Sequence, residues 1–163
     1  NYMNSKKINT VVLDQAIPPT NILGTSCYFE DIKTIIIERD PRDIYANMVR
    51  GRRLLGPELI NKDSVEKYIK WHKQLRRVSE KDRDNIDISK NVLNLYFEDL
   101  VLNLDKTIEK INKFLGNNNI HDKKGRYFSQ SYSIKNIGIW KKYKNQSVMS
   151  EIKKELNEYC YDG

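Results

Sequence analysis

The chain has 163 residues, of which 39% are hydrophobic and 31% charged, with seven glycines and four prolines. This length is sufficient to bury a core, and the composition excludes collagen-like, membrane-embedded and wholly disordered proteins. The formal net charge of +7 comes from 29 basic and 22 acidic residues, and it fits either a solvated lysine-rich surface or an affinity for polyanions. Because the basic residues are spread along the chain, a nucleic acid is the less favoured polyanion.

Residue types that mark metal or redox sites are scarce. Cys27 and Cys160 lie far apart, which argues against a disulfide scaffold and favours a reducing, cytoplasmic location. His72 and His121 are isolated in the sequence, so no metal site is expected. No run approaches the roughly 20 apolar residues of a membrane-spanning helix.

Three short apolar runs are predicted to be strands. They are residues 9–14 (NTVVLD), 33–38 (KTIIIE) and 92–97 (VLNLYF). The second run is apolar on both faces, which is typical of a strand inside a parallel sheet. Residues 21–29 are predicted to be irregular because two prolines shortly precede them.

Four segments are predicted to be helices: residues 42–53, 63–81, about 103–115 and 147–159. Asp40 and Pro41 supply an N-cap and a first helical residue for the first helix. Gly116 ends the third helix, and Ser147 caps the fourth. His72 falls in the apolar stripe of the second helix, so we expect it to be partly buried structure. Alternating strands and helices predict an α/β domain with a mostly parallel sheet flanked by helices.

The junction after KTIIIE combines a strand end, an arginine and a helix start. Ligands of open parallel sheets bind beyond the carboxyl ends of strands, where helix N-termini attract anions. Arg39 can donate a pair of hydrogen bonds to a phosphate there, and Asn47, two turns into the helix, can donate to the same anion. An arginine at a strand end more often pairs with a neighbouring carboxylate, so this junction alone leaves the ligand open.

The stretch KTIIIERDPRDIYANMVRG (residues 33–51) resembles the 3′-phosphate motif of sulfotransferases that use 3′-phosphoadenosine 5′-phosphosulfate (PAPS). That motif consists of an apolar strand, an arginine, a turn that often contains proline, and a serine eight residues after the arginine. The resemblance implies that Arg39 binds the 3′-phosphate and that Asn47 occupies the serine position. Asparagine keeps a hydrogen-bond donor but is larger than serine.

Two further segments resemble the family in the expected order. YFEDL (residues 96–100) resembles its Tyr-Glu-Asp-Leu segment, which implies that Phe97 lies by the adenine; simple packing in the core is the alternative for this ring. SIKNIGIWK (residues 133–141) resembles its C-terminal Gly-x-Trp-Lys segment, whose basic loop closes over the 3′-phosphate. The resemblance implies that Lys135 supplies charge and that Gly138 permits close approach of the backbone.

The half of the cofactor site that holds the 5′-phosphosulfate has no clear match. In the family this group is bound by a P-loop-like turn after the first strand, and no such turn precedes Asn9. Residues 24–26 (Gly-Thr-Ser) are the only candidate, and they do not follow a predicted strand. Since the chain starts at Asn1 rather than Met, we expect residues 1–163 to be one partial sulfotransferase-like domain. Its P-loop-NTPase-like fold would be incomplete at the N-terminus.

The resemblance implies an enzyme that transfers a sulfuryl group from PAPS to an acceptor hydroxyl or amine, such as one of a carbohydrate. Family members use a histidine or carboxylate as the base at the end of the preceding strand, which here implies Asp14 as the catalytic base; a turn or capping role is the alternative for this residue. The expected partners are the nucleotides PAPS and adenosine 3′,5′-bisphosphate (PAP) and an acceptor, without a metal, a nucleic acid or a membrane span.

Three other functions are weighed against this enzyme. A binding module that holds 3′-phosphoadenosine without turnover fits the missing loop and the change from serine to asparagine. A basic nucleic-acid-binding domain lacks interleaved aromatic residues and any known module, and a P-loop kinase lacks a Walker loop. For both the enzyme and the binding module, we expect Arg39, Asn47 and Lys135 to converge in one crevice. For the enzyme we also expect Asp14 to open onto that crevice.

Overall fold

The computed structural model describes residues 11–15, 17–18, 21–26, 28–51, 64–84, 90–116 and 128–162. Within these residues the strands are β1 (Thr34–Glu38) and β2 (Val92–Tyr96). The helices are α1 (Ile22–Ser26), α2 (Pro41–Gly51), α3 (Ser64–Asp84), α4 (Phe97–Leu102), α5 (Leu104–Leu115), α6 (Gln130–Ser133) and α7 (Gln146–Glu155). Single turns of 3₁₀ helix cover Ile134–Asn136, Ile139–Lys142 and Asn157–Tyr159.

The two strands pair in parallel, which confirms an α/β fold with a small parallel sheet flanked by helices. In their register Glu38 lies opposite Tyr96, at the last position of each strand. A parallel pair needs a long crossover, and α2 and α3 lie in the connection between the strands. Both strands therefore end at the same edge of the sheet, and the residues that follow them emerge side by side.

Helices α2, α3 and α7 form the main hydrophobic core. Its buried members are Tyr45, Ala46, Val65, Tyr68, Ile69, Met149, Ile152 and Leu156. The Tyr68 hydroxyl donates a hydrogen bond of 2.7 Å to the carbonyl oxygen of Pro41, the first residue of α2. Because Tyr68 is itself packed in the core, this hydrogen bond fixes the start of α2 relative to α3. None of the described helices is long and apolar enough to span a membrane.

The segment predicted as a first strand is not one in the described part of the chain. Residues 11–14 form no strand, and the side chain of Val12 is 89% exposed; Asn9 and Thr10 lie outside the described residues. A strand needs a hydrogen-bonding neighbour, and residues 11–14 pair with neither β1 nor β2. The β-branched composition of residues 11–14 was therefore a misleading signal, because strand propensity is realised only where packing supports it.

The prediction of irregular structure for residues 21–29 was partly wrong. Residues 22–26 form α1, and the Asn21 side chain caps it by accepting the Gly24 N–H at 3.1 Å. The Thr25 N–H donates to the Asn21 carbonyl oxygen. The backbone donors of Gly24 and Thr25 are therefore used within this helix, which is unlike an open phosphate-binding turn.

The remaining helix boundaries agree with the sequence in most places. Helix α5 ends at Gly116 in the left-handed conformation, with φ of 69°, as predicted. The third predicted strand stops one residue early, because Phe97 already begins α4. The last helix begins at Gln146 after Asn145, so the prediction that Ser147 caps it was wrong; the Ser147 hydroxyl instead lies 2.6 Å from the Asn145 side-chain oxygen.

His72 is buried in α3, as its position in the apolar stripe predicts. The residue is 4% exposed, and its ring lies 5.3 Å from that of Tyr159. Its Nε2 has no hydrogen-bond partner among the described residues. Burial, assisted by the charge of Arg76, lowers the pKa of His72 to about 4. The folded protein thus holds this side chain neutral at pH values where the unfolded chain protonates it.

This neutral histidine predicts a loss of stability in acid. The stabilisation is present above the ordinary pKa of 6.5 and is lost as the pH falls towards 4. We expect the unfolding free energy of wild type, minus that of His72→Gln, to fall by roughly 3 kcal/mol between pH 7 and pH 4. Urea unfolding followed by circular dichroism measures these free energies. The subtraction cancels the pH-dependent contribution of the carboxyl groups that both proteins share. A difference that does not change with pH would contradict the prediction.

Candidate functional site

The site is built at the edge of the sheet where β1 gives way to α2. Asp40 caps α2, because its Oδ1 accepts the Arg42 N–H at 2.8 Å and its carbonyl oxygen accepts the Ile44 N–H at 3.0 Å. Pro41 occupies the first helical position, where no N–H is needed. The predicted cap is confirmed, and it fixes the direction in which the chain leaves the strand.

The end of β2 joins this turn through a buried carboxyl group. Glu98, in the first turn of α4, accepts the Asp40 N–H with its Oε1 at 3.0 Å. Glu98 is 1% exposed, and its Oε2 has no hydrogen-bond partner among the described residues. Burial raises the pKa of this carboxyl group, and the nearby carboxylates of Asp40 and Asp43 act in the same direction. The two strand ends are thereby linked at the level of Arg39 and Phe97.

Arg39 lies between the two strand ends and the C-terminal segment. Its guanidinium carbon is 5.1 Å from the centre of the Phe97 ring, within the range of a cation–π contact. One terminal nitrogen, Nη2, donates to the Asn136 carbonyl oxygen at 2.6 Å. The Nε is buried and has no acceptor among the described residues. Because buried donors of charged groups are nearly always paired, this nitrogen is a candidate donor for an acceptor on a bound molecule.

A second arginine of the same turn has a different environment. Arg42 is 3% exposed and forms a buried ion pair with Asp40. Its guanidinium also stacks on Trp140, with 4.2 Å between the guanidinium carbon and the ring centre. Its charge is therefore compensated within the protein, whereas Arg39 has no carboxylate in an ion pair among the described residues. The two arginines of this turn therefore differ in whether a carboxylate among the described residues compensates their charge.

The C-terminal segment is tied to α2 by Asp43. Its Oδ2 accepts the Gly138 N–H at 2.7 Å, and its Oδ1 accepts the Trp140 N–H at 3.0 Å. Gly138 has φ of 68°, a left-handed conformation that favours glycine. Burial raises the pKa of the Asp43 carboxyl group, although both backbone hydrogen bonds and the charge of Arg39 oppose the shift.

The structure therefore brings together three of the predicted site segments, carrying Arg39, Phe97 and Gly138. Asn47 and Lys135 are exposed, and neither forms a hydrogen bond with Arg39 within the described residues. Asn47 lies one helical turn after Asp43 and on the same side of α2. Lys135 directly precedes the residue whose carbonyl Arg39 contacts. Their convergence on one ligand remains a prediction.

Asp14, the predicted base, is exposed and lies in a bend next to Gln15, whose φ is 54°. No hydrogen bond connects it to Arg39 or to Phe97 in the part of the chain that the structure describes. A role for Asp14 as a base likewise remains a prediction. Among the same described residues no group of three or more histidine, cysteine or acidic side chains is arranged to hold a metal ion.

Sequence reasoning missed two residues that organise the site, Asp43 and Glu98. Both lie in the motifs that the sequence analysis quoted, four residues after Arg39 and one after Phe97. Acidic side chains are rarely fully buried, so composition favours the surface for both. The available signal was position, since each lies in the first turn of a helix that follows a parallel strand.

Comparison with known protein families places this geometry in context. The model described as "Sulfotransferase family" matches residues 25–122. This range covers more than half of the chain, including Arg39 and Phe97, and ends before the segment of Lys135 and Gly138. No curated protein and no solved structure gives a significant match. The chain belongs to the sulfotransferase family, and a general role in sulfuryl transfer follows from that membership.

Proposed function

We propose that the chain binds the 3′-phosphate of PAPS and takes part in transferring its sulfuryl group to an acceptor hydroxyl or amine, such as one of a carbohydrate. The observation that carries this proposal is the environment of Arg39. It offers a buried Nε without an acceptor among the described residues, beside an aromatic ring at the carboxyl end of a parallel strand.

The residues around Arg39 fit the 3′-phosphoadenosine part of the cofactor. A phosphate oxygen would complete the hydrogen bonding of the Arg39 Nε, and guanidinium–phosphate contacts are well suited to this task. The Phe97 ring offers an apolar surface for the adenine. Lys135 would add charge from the C-terminal segment, Gly138 would let its backbone approach closely, and Asn47 would donate from α2.

Bound PAPS supplies the sulfuryl group, and the protein supplies orientation and charge. Sulfuryl transfer resembles phosphoryl transfer, in which catalysis depends mainly on positioning and electrostatic stabilisation. In this proposal Arg39 anchors the nucleotide through the phosphate that does not react. Asp14 would accept the proton that the acceptor hydroxyl or amine loses as its oxygen or nitrogen attacks the sulfur. The bond from sulfur to the 5′-phosphate oxygen breaks in the same transfer, and PAP is the leaving group.

The alternative is a module that binds 3′-phosphoadenosine without turnover. The observation that favours it is α1, in which Gly24 and Thr25 donate their N–H groups to Asn21. The Gly-Thr-Ser segment is therefore not free to bind a 5′-phosphosulfate as a P-loop-like turn would. A basic nucleic-acid-binding domain is less well supported, because the Arg39 environment suits one phosphate rather than a repeating backbone.

Selectivity for the 3′-phosphate tests both the enzyme and the binding module, because each of them requires this phosphate to be bound. Charge-assisted hydrogen bonds contribute roughly 1.5–3 kcal/mol each, and 1.4 kcal/mol corresponds to tenfold in affinity. With two such contacts, PAP should bind at least ~10²-fold more tightly than AMP. Isothermal titration calorimetry measures this ratio.

Arg39→Ala should remove most of this preference, and Arg77→Ala is the matched control. Arg77 is exposed on α3, so its removal changes the net charge equally without touching the site. Equal binding of the two nucleotides by wild type, or a ratio that survives Arg39→Ala, would refute the 3′-phosphate assignment.

A kinetic test examines the proposed role of Asp14 as the catalytic base. In a form of the protein that transfers sulfate, Asp14→Asn should lower kcat by about 10²–10⁴-fold, the usual contribution of a general base, without changing PAP affinity. Asp31→Asn is the control, since Asp31 is exposed at the opposite end of β1 and has φ of 53°, which asparagine tolerates. An unchanged kcat in Asp14→Asn would show that the base is another residue.

A further inference from the structure

The hydrogen bonds of Asp43 connect residues that lie far apart in the sequence. Asp43 is 1% exposed, and its carboxylate accepts the N–H groups of Gly138 and Trp140. The cap of α2 is provided by Asp40 instead, so this second carboxylate is not needed to satisfy the helix. Both of its oxygens are directed to the C-terminal segment.

Apolar burial fixes that C-terminal segment only in part. The single turns Ile134–Asn136 and Ile139–Lys142 contain no fully buried residue. Ile139 and Trp140 are partly buried against the core, whereas Lys135 is exposed. Polar contacts therefore help to define where the residues before Ile139 lie. They include the contact of Asp43 with the Gly138 N–H and the contact of Arg39 with the Asn136 carbonyl oxygen.

The two contacts differ in how they would respond to a bound anion. A phosphate bound to the Arg39 Nε would share the guanidinium with the Asn136 carbonyl oxygen, which accepts from Nη2. The Asp43 contacts use backbone donors, and an anionic ligand cannot replace the carboxylate without moving Gly138. Gly138 donates its N–H to this carboxylate while its backbone is in the left-handed conformation, with φ of 68°.

We propose that Asp43 is a positioning residue, which holds the segment from Asn136 to Trp140 in place beside the phosphate that Arg39 binds. Asp43 acts through Gly138 and Trp140 and does not itself contact the ligand. This inference rests on the proposed function, because it assigns Asp43 to the selectivity for the 3′-phosphate.

Asp43→Asn tests the proposal at nearly constant size. The amide retains one acceptor oxygen, but its NH₂ group would face a backbone N–H, so one of the two hydrogen bonds is lost. We expect PAP affinity to fall by about tenfold to a hundredfold, the effect of one charge-assisted hydrogen bond, and AMP affinity to stay unchanged. Amide hydrogen exchange should become faster at Gly138 and Trp140, and remain as in wild type at Tyr68 in α3.

Glu155→Gln is the matched control for loss of a carboxylate. Glu155 forms an exposed ion pair with Lys73, and its replacement should change neither nucleotide affinity nor exchange at Gly138. Gly138→Ala is the second variant if Asp43→Asn does not fold. The atoms nearest to a Cβ at Gly138 would belong to the Lys141 side chain, at an ordinary van der Waals distance of 3.6 Å, so we expect the effect of the substitution to arise from the positive φ. It should lower the ratio of PAP to AMP affinity in the same way.

The outcomes separate the two proposals. If wild type prefers PAP and Asp43→Asn keeps the full preference, the role of Asp43 is refuted and the proposed function stands. Equal loss of affinity for both nucleotides, with faster exchange at Tyr68 as well, would also refute it, because this pattern indicates a general loss of structure. If wild type itself shows no preference, the proposed function fails and the inference fails with it.

Discussion

The hydrogen bond between the Asp40 N–H and the buried Glu98 carboxyl group joins the two strand ends at 3.0 Å. The rest of the site depends on this contact, because it sets the turn that carries Arg39 against the helix that starts with Phe97. Leaving either group buried and unpaired would cost about 1–3 kcal/mol. The parallel register makes the contact possible, since Glu38 and Tyr96 end their strands side by side. Helix α2 is held in turn by the hydrogen bond from Tyr68 to Pro41.

The acidic groups of this region give the two arginines different environments. Asp40 neutralises Arg42 and caps α2 with the same carboxylate. Asp43 accepts backbone donors from the C-terminal segment and leaves Arg39 without a carboxylate in an ion pair among the described residues. The Nε of Arg39 is buried and has no acceptor among the described residues, and a buried donor without an acceptor is costly. This nitrogen therefore fits the anion site proposed for Arg39 better than a contribution to stability.

Most of the regular structure could be predicted from the sequence. The strands β1 and β2 are short, β-branched and followed by strong helix signals, and α2, α3 and α5 have clear apolar stripes or caps. Residues 11–14 have the same strand composition, yet they are exposed, because pairing partners are set by the tertiary structure rather than by propensity. Helix α4 was missed since Phe97 fits either the end of a strand or the start of a helix.

The site was less predictable than the fold. Arg39 could be selected from its position at a strand end, and Phe97 and Gly138 from the family resemblance. The positions of Asp43 and Glu98 in the first turns of helices could be identified from the sequence, but their burial could not, because it depends on backbone donors brought from distant segments. Those donors are identified only once the chain is folded. Asn47 and Lys135 are near the site along the chain, but their side chains are exposed, and sequence alone cannot direct them to a ligand.

The most direct test of the account follows the Arg39 Nε–H group during ligand binding. Two-dimensional ¹H–¹⁵N spectra that include arginine Nε–H signals, assigned with Arg39→Lys, would be recorded during titration with PAP and with AMP. The account predicts that the Arg39 Nε–H signal shifts and saturates with PAP, together with the amide signals of Phe97 and Gly138, and responds much less to AMP. Unchanged Arg39, Phe97 and Gly138 signals at saturating PAP would contradict it.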